Sequence, residues 1–212
     1  WERWYYRIGM WLYDKISGST NLKSSRGLNK KEIQAEFPSI KSNHLRGGVL
    51  YYDGQLNDAR YALAILKEAE RLGACILNYA RLDSFELGSK SLKIKKVVFT
   101  DVLSDASYTL PVKAVVNATG PFTDAIRVLA NPRLKPRMKV SRGAHIVLPA
   151  PFWQGNTALL IPKTDDGRVI FVIPWREYVL VGTTDDPDTL TEHPVILDDE
   201  KEYLISYFNR YS

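Results

Sequence analysis

Asp53-Gly54-Gln55-Leu56-Asn57-Asp58-Ala59-Arg60 opens the stretch, residues 53–73, from which the fold is read. Turn-forming polar residues give way here to a long helical pattern. Asp58 is a good cap for a helix over 59–72, since a short acidic side chain accepts from the free N–H groups of a first turn. Ala62, Leu63, Ile65, Leu66, Ala69 and Leu72 make one broad apolar face, and Lys67, Glu68, Glu70 and Arg71 make the wet side. Gly73 stops the helix. Cys75, Ile76 and Leu77 follow at once and read as a short buried strand. A helix followed directly by a strand is an α/β signature.

Downstream, residues 82–87 and 92–102 read as a strand pair joined by Gly88-Ser89-Lys90, with a third strand at 108–110. Residues 113–117 read as a compact apolar strand. Ala118-Thr119-Gly120-Pro121 turns it into a helix from 123, and Pro121 suits the opening of that helix. Four strands are expected over 139–149, 159–162, 169–174 and 178–183. Asp165-Asp166-Gly167 and Arg176-Glu177 mark the turns between the last three. A terminal helix over 200–211 has acids in its first turn, where they oppose the helix dipole.

Upstream, residues 1–16 read as a helix with Trp4, Ile8, Trp11 or Leu12, and Ile16 at helical spacing. Trp and Tyr beside Arg3, Arg7 and Lys15 suit an interfacial helix. They equally suit a helix whose aromatic face packs on its own protein. Asn29 can cap a short helix over 30–37, with Glu32 at its third position. Residues 45–52 read as a strand after Gly47-Gly48.

The totals exclude several classes. The 212 residues suffice for one large domain or two small ones. One cysteine, Cys75, allows no disulfide framework, and inside an apolar strand it is expected to be inert. His44, His145 and His193 lack metal-ligand spacing, so no metal is expected. The net charge of +5 suits an anionic ligand or surface. No helix-turn-helix, zinc-finger or RNA-binding pattern supports a nucleic-acid partner. No apolar run approaches the length of a membrane span. Gly-x-Gly-x-x-Gly, Walker, Gly-x-Ser-x-Gly and His-Glu-x-x-His motifs are all absent. The best local signal is Val115-Val116-Asn117-Ala118-Thr119-Gly120-Pro121. A strand ending in small residues lets backbone approach a ligand, and the N–H groups beyond it can face a phosphate. A plain strand-to-helix turn would look the same.

Several segments together resemble the FAD-linked glycerol-3-phosphate dehydrogenases of mitochondrial type, within the D-amino-acid-oxidase-like superfamily. They are Tyr51-Tyr52-Asp53-Gly54-Gln55-Leu56-Asn57-Asp58-Ala59-Arg60 and Asn117-Ala118-Thr119-Gly120-Pro121-Phe122-Thr123-Asp124. Gly143-Ala144-His145-Ile146-Val147-Leu148-Pro149 follows. Then come Asp166-Gly167-Arg168-Val169-Ile170-Phe171-Val172-Ile173-Pro174-Trp175 and Gly182-Thr183-Thr184-Asp185. They recur in that family's order and spacing across nearly the whole chain.

The resemblance implies a mixed α/β (α+β) fold: part of an FAD-binding Rossmann-like domain plus an antiparallel-sheet substrate domain. It divides the chain into a substrate-side cap segment with the aromatic helix (1–50), part of the FAD-binding domain with a β-meander (51–130), and substrate-domain strands with the terminal helix (131–212). It implies an internal fragment, inactive alone, with the glycine fingerprint before Trp1 and substrate-binding arginines after Ser212. The whole enzyme would oxidise sn-glycerol 3-phosphate to dihydroxyacetone phosphate and pass electrons through FAD to ubiquinone. An oxygen-using glycerophosphate oxidase and a non-catalytic binding module are the alternatives. The implied setting is peripheral, on the mitochondrial inner membrane or a bacterial inner membrane, and a homodimer is compatible with it. His145 is the implied catalytic and substrate-side residue, able to hydrogen-bond a hydroxyl or phosphate or to assist proton removal from a carbinol. Arg81, Leu82, Thr119 and Gly120 are implied at the FAD, Leu82 through its backbone. Thr183 and Thr184 line the substrate side or hold a turn. Arg142 is read as structural or solvated, Arg60 as structural, and Trp175 as packing beneath the site.

Overall fold

The computed structural model describes residues 2–43, 45–89, 91 and 93–212. Trp1 at the head of the first helix, His44, Lys90 in the first hairpin turn and Leu92 at the expected strand start lie outside the described residues. The chain divides into two units, residues 1–55 with 141–212 and residues 56–140. The N- and C-terminal segments, read separately in the sequence, thus belong to one unit.

The first segment of that unit contains α1 (Glu2–Ser17), β1 (Arg26–Leu28), α2 (Lys30–Glu36) and β2 (Gly48–Leu50). α2 begins where expected because Asn29 and Glu32 form a reciprocal capping box. The Asn29 side chain accepts from the Glu32 N–H at 3.0 Å, and the Glu32 carboxylate accepts from the Asn29 N–H at 2.7 Å. The strand expected over 45–52 is shorter, Gly48–Leu50, pairing antiparallel with β1. α1 keeps its aromatic and aliphatic side chains exposed, Trp4, Ile8, Trp11 and Ile16 among them. Arg7 lies over the Trp4 ring at 5.5 Å and Lys15 over the Trp11 ring at 5.9 Å.

The second unit contains α3 (Asp58–Arg71), β3 (Ala80–Leu87), β4 (Ile94–Asp101), β5 (Ser107–Pro111) and α4 (Thr123–Ala130). α3 starts one residue earlier than expected. Its cap is Asn57, whose side chain accepts from the Arg60 N–H at 3.0 Å, and Asp58 is its first residue. The three strands form an antiparallel meander ordered β3-β4-β5. Two expected strands are absent. Residues 75–77 and 113–117 run outside any sheet, and Leu77 and Val116 are exposed. Cys75, expected inside an apolar strand, is exposed too. A strand needs a neighbour for its N–H and C=O groups, and among the described residues neither segment has one. The buried apolar side chains all lie in the other unit, and the α3 face of Leu63, Ile65, Leu66 and Leu72 is exposed.

The first unit resumes with β6 (Ser141–Arg142), β7 (His145–Pro149), β8 (Leu159–Ile161), β9 (Ile170–Trp175), β10 (Tyr178–Gly182), β11 (Asp186–Pro187) and α5 (Asp198–Tyr211). The expected strand over 139–149 is thus split at Gly143-Ala144. Four strands form an antiparallel sheet ordered β7-β10-β9-β8, and β6 pairs with β11. The hairpins fall at the expected turns, with Gly167 at φ 87° and Arg176 at φ 55°. Alternation along the strands sends Ile161, Ile170, Val172, Val179 and Val181 to one face. There they meet Leu204, Tyr207 and Phe208 of α5, Trp153, and Leu28, Ile33 and Phe37 from the first segment. Leu204 and Val181 are fully buried. This core makes the four-stranded sheet a fixed platform with one face sealed. The mixed α/β architecture with antiparallel sheets is the one the sequence led us to expect.

Candidate functional site

His145 begins β7 and pairs with Gly182 of β10, which pairs in turn with Phe171 of β9. The three form one row on the face of the sheet opposite the core. Val147, Leu180 and Ile173 belong to the same face by alternation. His145, Val147 and Phe171 are exposed, so this face is apolar, open and carries a single imidazole.

The His145 ring lies directly on Gly182. A Cβ placed on Gly182 would come within 2.3 Å of the imidazole Cδ2 and 2.9 Å of Nε2. No side chain fits there without moving the ring. Gly143 is pressed in the same way: a Cβ on it would meet the Thr183 Oγ1 at 2.5 Å and the Thr184 carbonyl oxygen at 2.9 Å. Two glycines thus let these segments approach closely, with the His145 ring against Gly182 and the Thr183 hydroxyl against Gly143.

The Thr183 hydroxyl donates to the Thr184 carbonyl at 2.7 Å and is half-buried. Thr184 differs sharply from it. It is 1% exposed. Its hydroxyl accepts from the Ala144 N–H at 2.8 Å and donates to Glu200 Oε1 at 2.8 Å. Of the two alternatives open in the sequence, the Thr184 side chain is placed as a holder of the turn.

Glu200, in the first turn of α5, is 4% exposed. Its Oε2 accepts from the Leu197 N–H at 2.8 Å, and the Arg142 guanidinium faces both oxygens, at 3.2 and 3.4 Å. Arg142 also pairs with Asp188 at 2.6 Å. Burial alone would raise the Glu200 carboxyl. The Leu197 N–H, the Thr184 hydroxyl and Arg142 outweigh it and hold the group below its ordinary value. Arg142, read from the sequence as structural or solvated, is engaged by the Glu200 and Asp188 carboxylates. Gly182 and Glu200 were not singled out there. Glu200 was read only as a helix-start acid, and Gly182 only as part of a recurring segment.

The residues implied at the FAD lie in the other unit. At the end of residues 113–119, the Asn117 carboxamide oxygen accepts from the Thr119 hydroxyl at 2.8 Å, and its Nδ2 donates to the Thr123 carbonyl at 3.0 Å. This ties the turn to α4. Gly120 has φ 55°, with nothing within 4 Å of where a Cβ would be. Its positive φ and bare Cα present backbone to the surroundings. Leu82 lies on β3, the outer strand of its meander, which is paired with β4 alone. Asp83 beside it is skipped in the pairing, a bulge. Arg81 pairs with Asp83 at 3.0 Å, and the Asp83 carboxylate also accepts from the Thr100 hydroxyl at 2.6 Å. Arg81 is therefore engaged in tying down the bulge. An outer strand and a glycine turn offering main-chain groups fit a dinucleotide held through its base and diphosphate. Among the described residues, no cluster of His, Cys, Asp or Glu could hold a metal ion, and no helix is long and apolar enough to cross a membrane.

Comparison with known proteins gives the family. The chain belongs to the FAD dependent oxidoreductase (DAO) family, whose profile matches residues 1–212. It is 38% identical over 217 residues to the mitochondrial glycerol-3-phosphate dehydrogenase of Rattus norvegicus, covering 100% of this chain and 30% of that protein. It is 39% identical to a probable mitochondrial glycerol-3-phosphate dehydrogenase of Caenorhabditis elegans, covering 100% of this chain and 29% of that protein. Among solved structures, it is similar to the glycerol-3-phosphate dehydrogenase of Bacillus halodurans complexed with FAD. The TM-score is 0.80 at 31% identity, over 87% of this chain and 37% of that one. The chain thus spans between 29% and 37% of the length of these relatives.

Proposed function

We propose that this chain is a segment of an FAD-dependent glycerol-3-phosphate dehydrogenase. The observation that carries the reading is that enzymes of that name match the chain over its full extent at 37–39% identity. The reaction oxidises the C2 carbinol of sn-glycerol 3-phosphate to the ketone of dihydroxyacetone phosphate. It removes a hydride from C2 and a proton from the C2 hydroxyl.

Bound FAD supplies the hydride acceptor. Backbone at Leu82 and at Thr119-Gly120 would hold it, with Arg81 fixing the bulge next to Leu82. His145 is the residue that meets the substrate. Its ring is seated on Gly182 and exposed, and a neutral imidazole nitrogen can take the hydroxyl proton. Phe171 and Val147 give the face around it an apolar character. The net charge of +5 suits an anionic substrate.

The chain works as part of a longer polypeptide and does not turn over alone, in keeping with its spanning about 30% of its mitochondrial relatives. Electrons leave to ubiquinone at the mitochondrial inner membrane, where the protein attaches peripherally through the exposed aromatic face of α1. Assembly as a homodimer is compatible with this. The test is to supply the full-length, FAD-loaded protein with sn-glycerol 3-phosphate and follow ubiquinone reduction and peroxide together. Quinone reduction with formation of dihydroxyacetone phosphate is expected. Stoichiometric peroxide would replace the dehydrogenase with an oxidase, and no turnover would remove the enzyme reading.

A further inference from the structure

β6 ends at Arg142 and β7 begins at His145, so the two residues between them have no ladder partners of their own. Ala144, immediately before His145, is instead held at both its polar groups by one residue. Its N–H donates to the Thr184 hydroxyl at 2.8 Å, and its carbonyl accepts from the Thr184 N–H at 3.3 Å.

The direction of this relay is forced. A backbone N–H can only donate, so the Thr184 oxygen accepts from Ala144 and must turn its own hydrogen toward Glu200 at 2.8 Å. That bond needs an acceptor at Glu200. The carboxylate is fixed in place by the Leu197 N–H and by Arg142, which Asp188 holds from the other side. Ala144, Thr184 and Glu200 are buried, where a satisfied polar network is rigid and an unsatisfied one is costly.

We propose that Glu200 is a positioning residue for His145, acting through the Thr184 hydroxyl on the Ala144 backbone. This rests on the reading of His145 as the substrate-side base. Neither Glu200 nor Thr184 touches substrate. Their effect is to set where β7 starts, and so where the imidazole lies over Gly182. A displacement of about 1 Å at a reacting group can cost on the order of a hundredfold in rate.

A double-mutant cycle in the full-length, FAD-loaded enzyme tests this. Thr184→Val keeps the shape and removes the hydroxyl, and Thr184→Ser keeps the hydroxyl. Thr184→Val is expected to lower kcat for glycerol 3-phosphate about tenfold, with FAD content and melting temperature held. Thr184→Ser restores kcat to within about threefold of wild type. Because Thr184 acts through His145, adding Thr184→Val to His145→Ala costs nothing further. If Thr184→Val fails to retain FAD, Glu200→Leu, which leaves the Thr184 hydroxyl without its acceptor, takes its place in the same cycle. Losses that add in the double variant overturn the proposal. So does a wild-type-like Thr184→Val beside an impaired His145→Ala, and so does a Thr184→Ser as defective as Thr184→Val. A His145→Ala enzyme with unchanged kinetics would instead remove the reading of His145 itself.

Discussion

The His145 imidazole occupies the space that a side chain at Gly182 would need: the two are cross-strand partners, and a Cβ on Gly182 would sit 2.3 Å from the ring. The glycine is therefore part of the site although it carries no functional group. Gly182→Ala should rotate the imidazole off the sheet while leaving the core face of Val179 and Val181 intact. The expected result is a fall of about tenfold or more in kcat/KM for glycerol 3-phosphate, with FAD content unchanged, measured by steady-state kinetics on the full-length enzyme. An unaltered kcat/KM would mean that the ring's seat on Gly182 has no bearing on turnover.

Acid should loosen the unit of residues 1–55 and 141–212 in a defined window. Glu200, Asp165 and Asp166 all have carboxyl pKa values lowered by folding. For Glu200, burial works against the lowering and the Leu197 N–H, Thr184 and Arg142 prevail. For Asp165, the Arg210 hydrogen bond leads, and for Asp166 the Thr184-independent bond from Thr164 leads. A lowered carboxyl contributes stability that is fully present above its ordinary value and is lost as pH falls through the folded one. The ordinary values are 4.5 for Glu and 3.8 for Asp, so melting temperature should hold from pH 7 to about 5 and drop below it. Glu200→Gln should start lower at pH 7, because Arg142 loses a buried partner. The gap to wild type should narrow as pH falls toward 3.5. Thermal melts across that range check this, and a gap of constant size would contradict it.

α1 offers a separate prediction about attachment. Trp4, Ile8 and Trp11 lie on one side of the helix and are exposed, with Arg7 and Lys15 stacked against the two indoles. Apolar rings beside cations suit the interface of an anionic bilayer. Replacing Trp4, Ile8 and Trp11 together by Ala in the full-length protein should release it from cardiolipin-containing liposomes in flotation. Undiminished flotation would assign attachment elsewhere in the protein.

Much of the fold was legible because its signals are local. The Asn29 and Glu32 capping box, the Asp165-Asp166-Gly167 turn and the apolar spacing of α3 each depend on residues a few positions apart. The two misread strands, at 75–77 and 113–117, show where local pattern ends. A short apolar run looks like a buried strand, but it becomes one only if another strand lies beside it, and local spacing does not say so. The site was partly legible. His145 stood out through its recurring segment, whereas its support did not. Glu200, Thr184 and Ala144 are joined over separations of 16 and 40 positions. Only the pairing of β7 with β10, which no turn motif announces, brings Gly182 under the imidazole. Strand alternation along 145–149 and 178–182 would have placed both on one face had that pairing been known.

The most direct measurement is the turnover of His145→Ala in the full-length, FAD-loaded enzyme with sn-glycerol 3-phosphate. Proton removal by a positioned base contributes about a hundredfold or more. In His145→Ala, kcat is therefore expected to fall by about that factor, with the flavin spectrum and FAD content of wild type. Wild-type kcat and KM in this variant would contradict it.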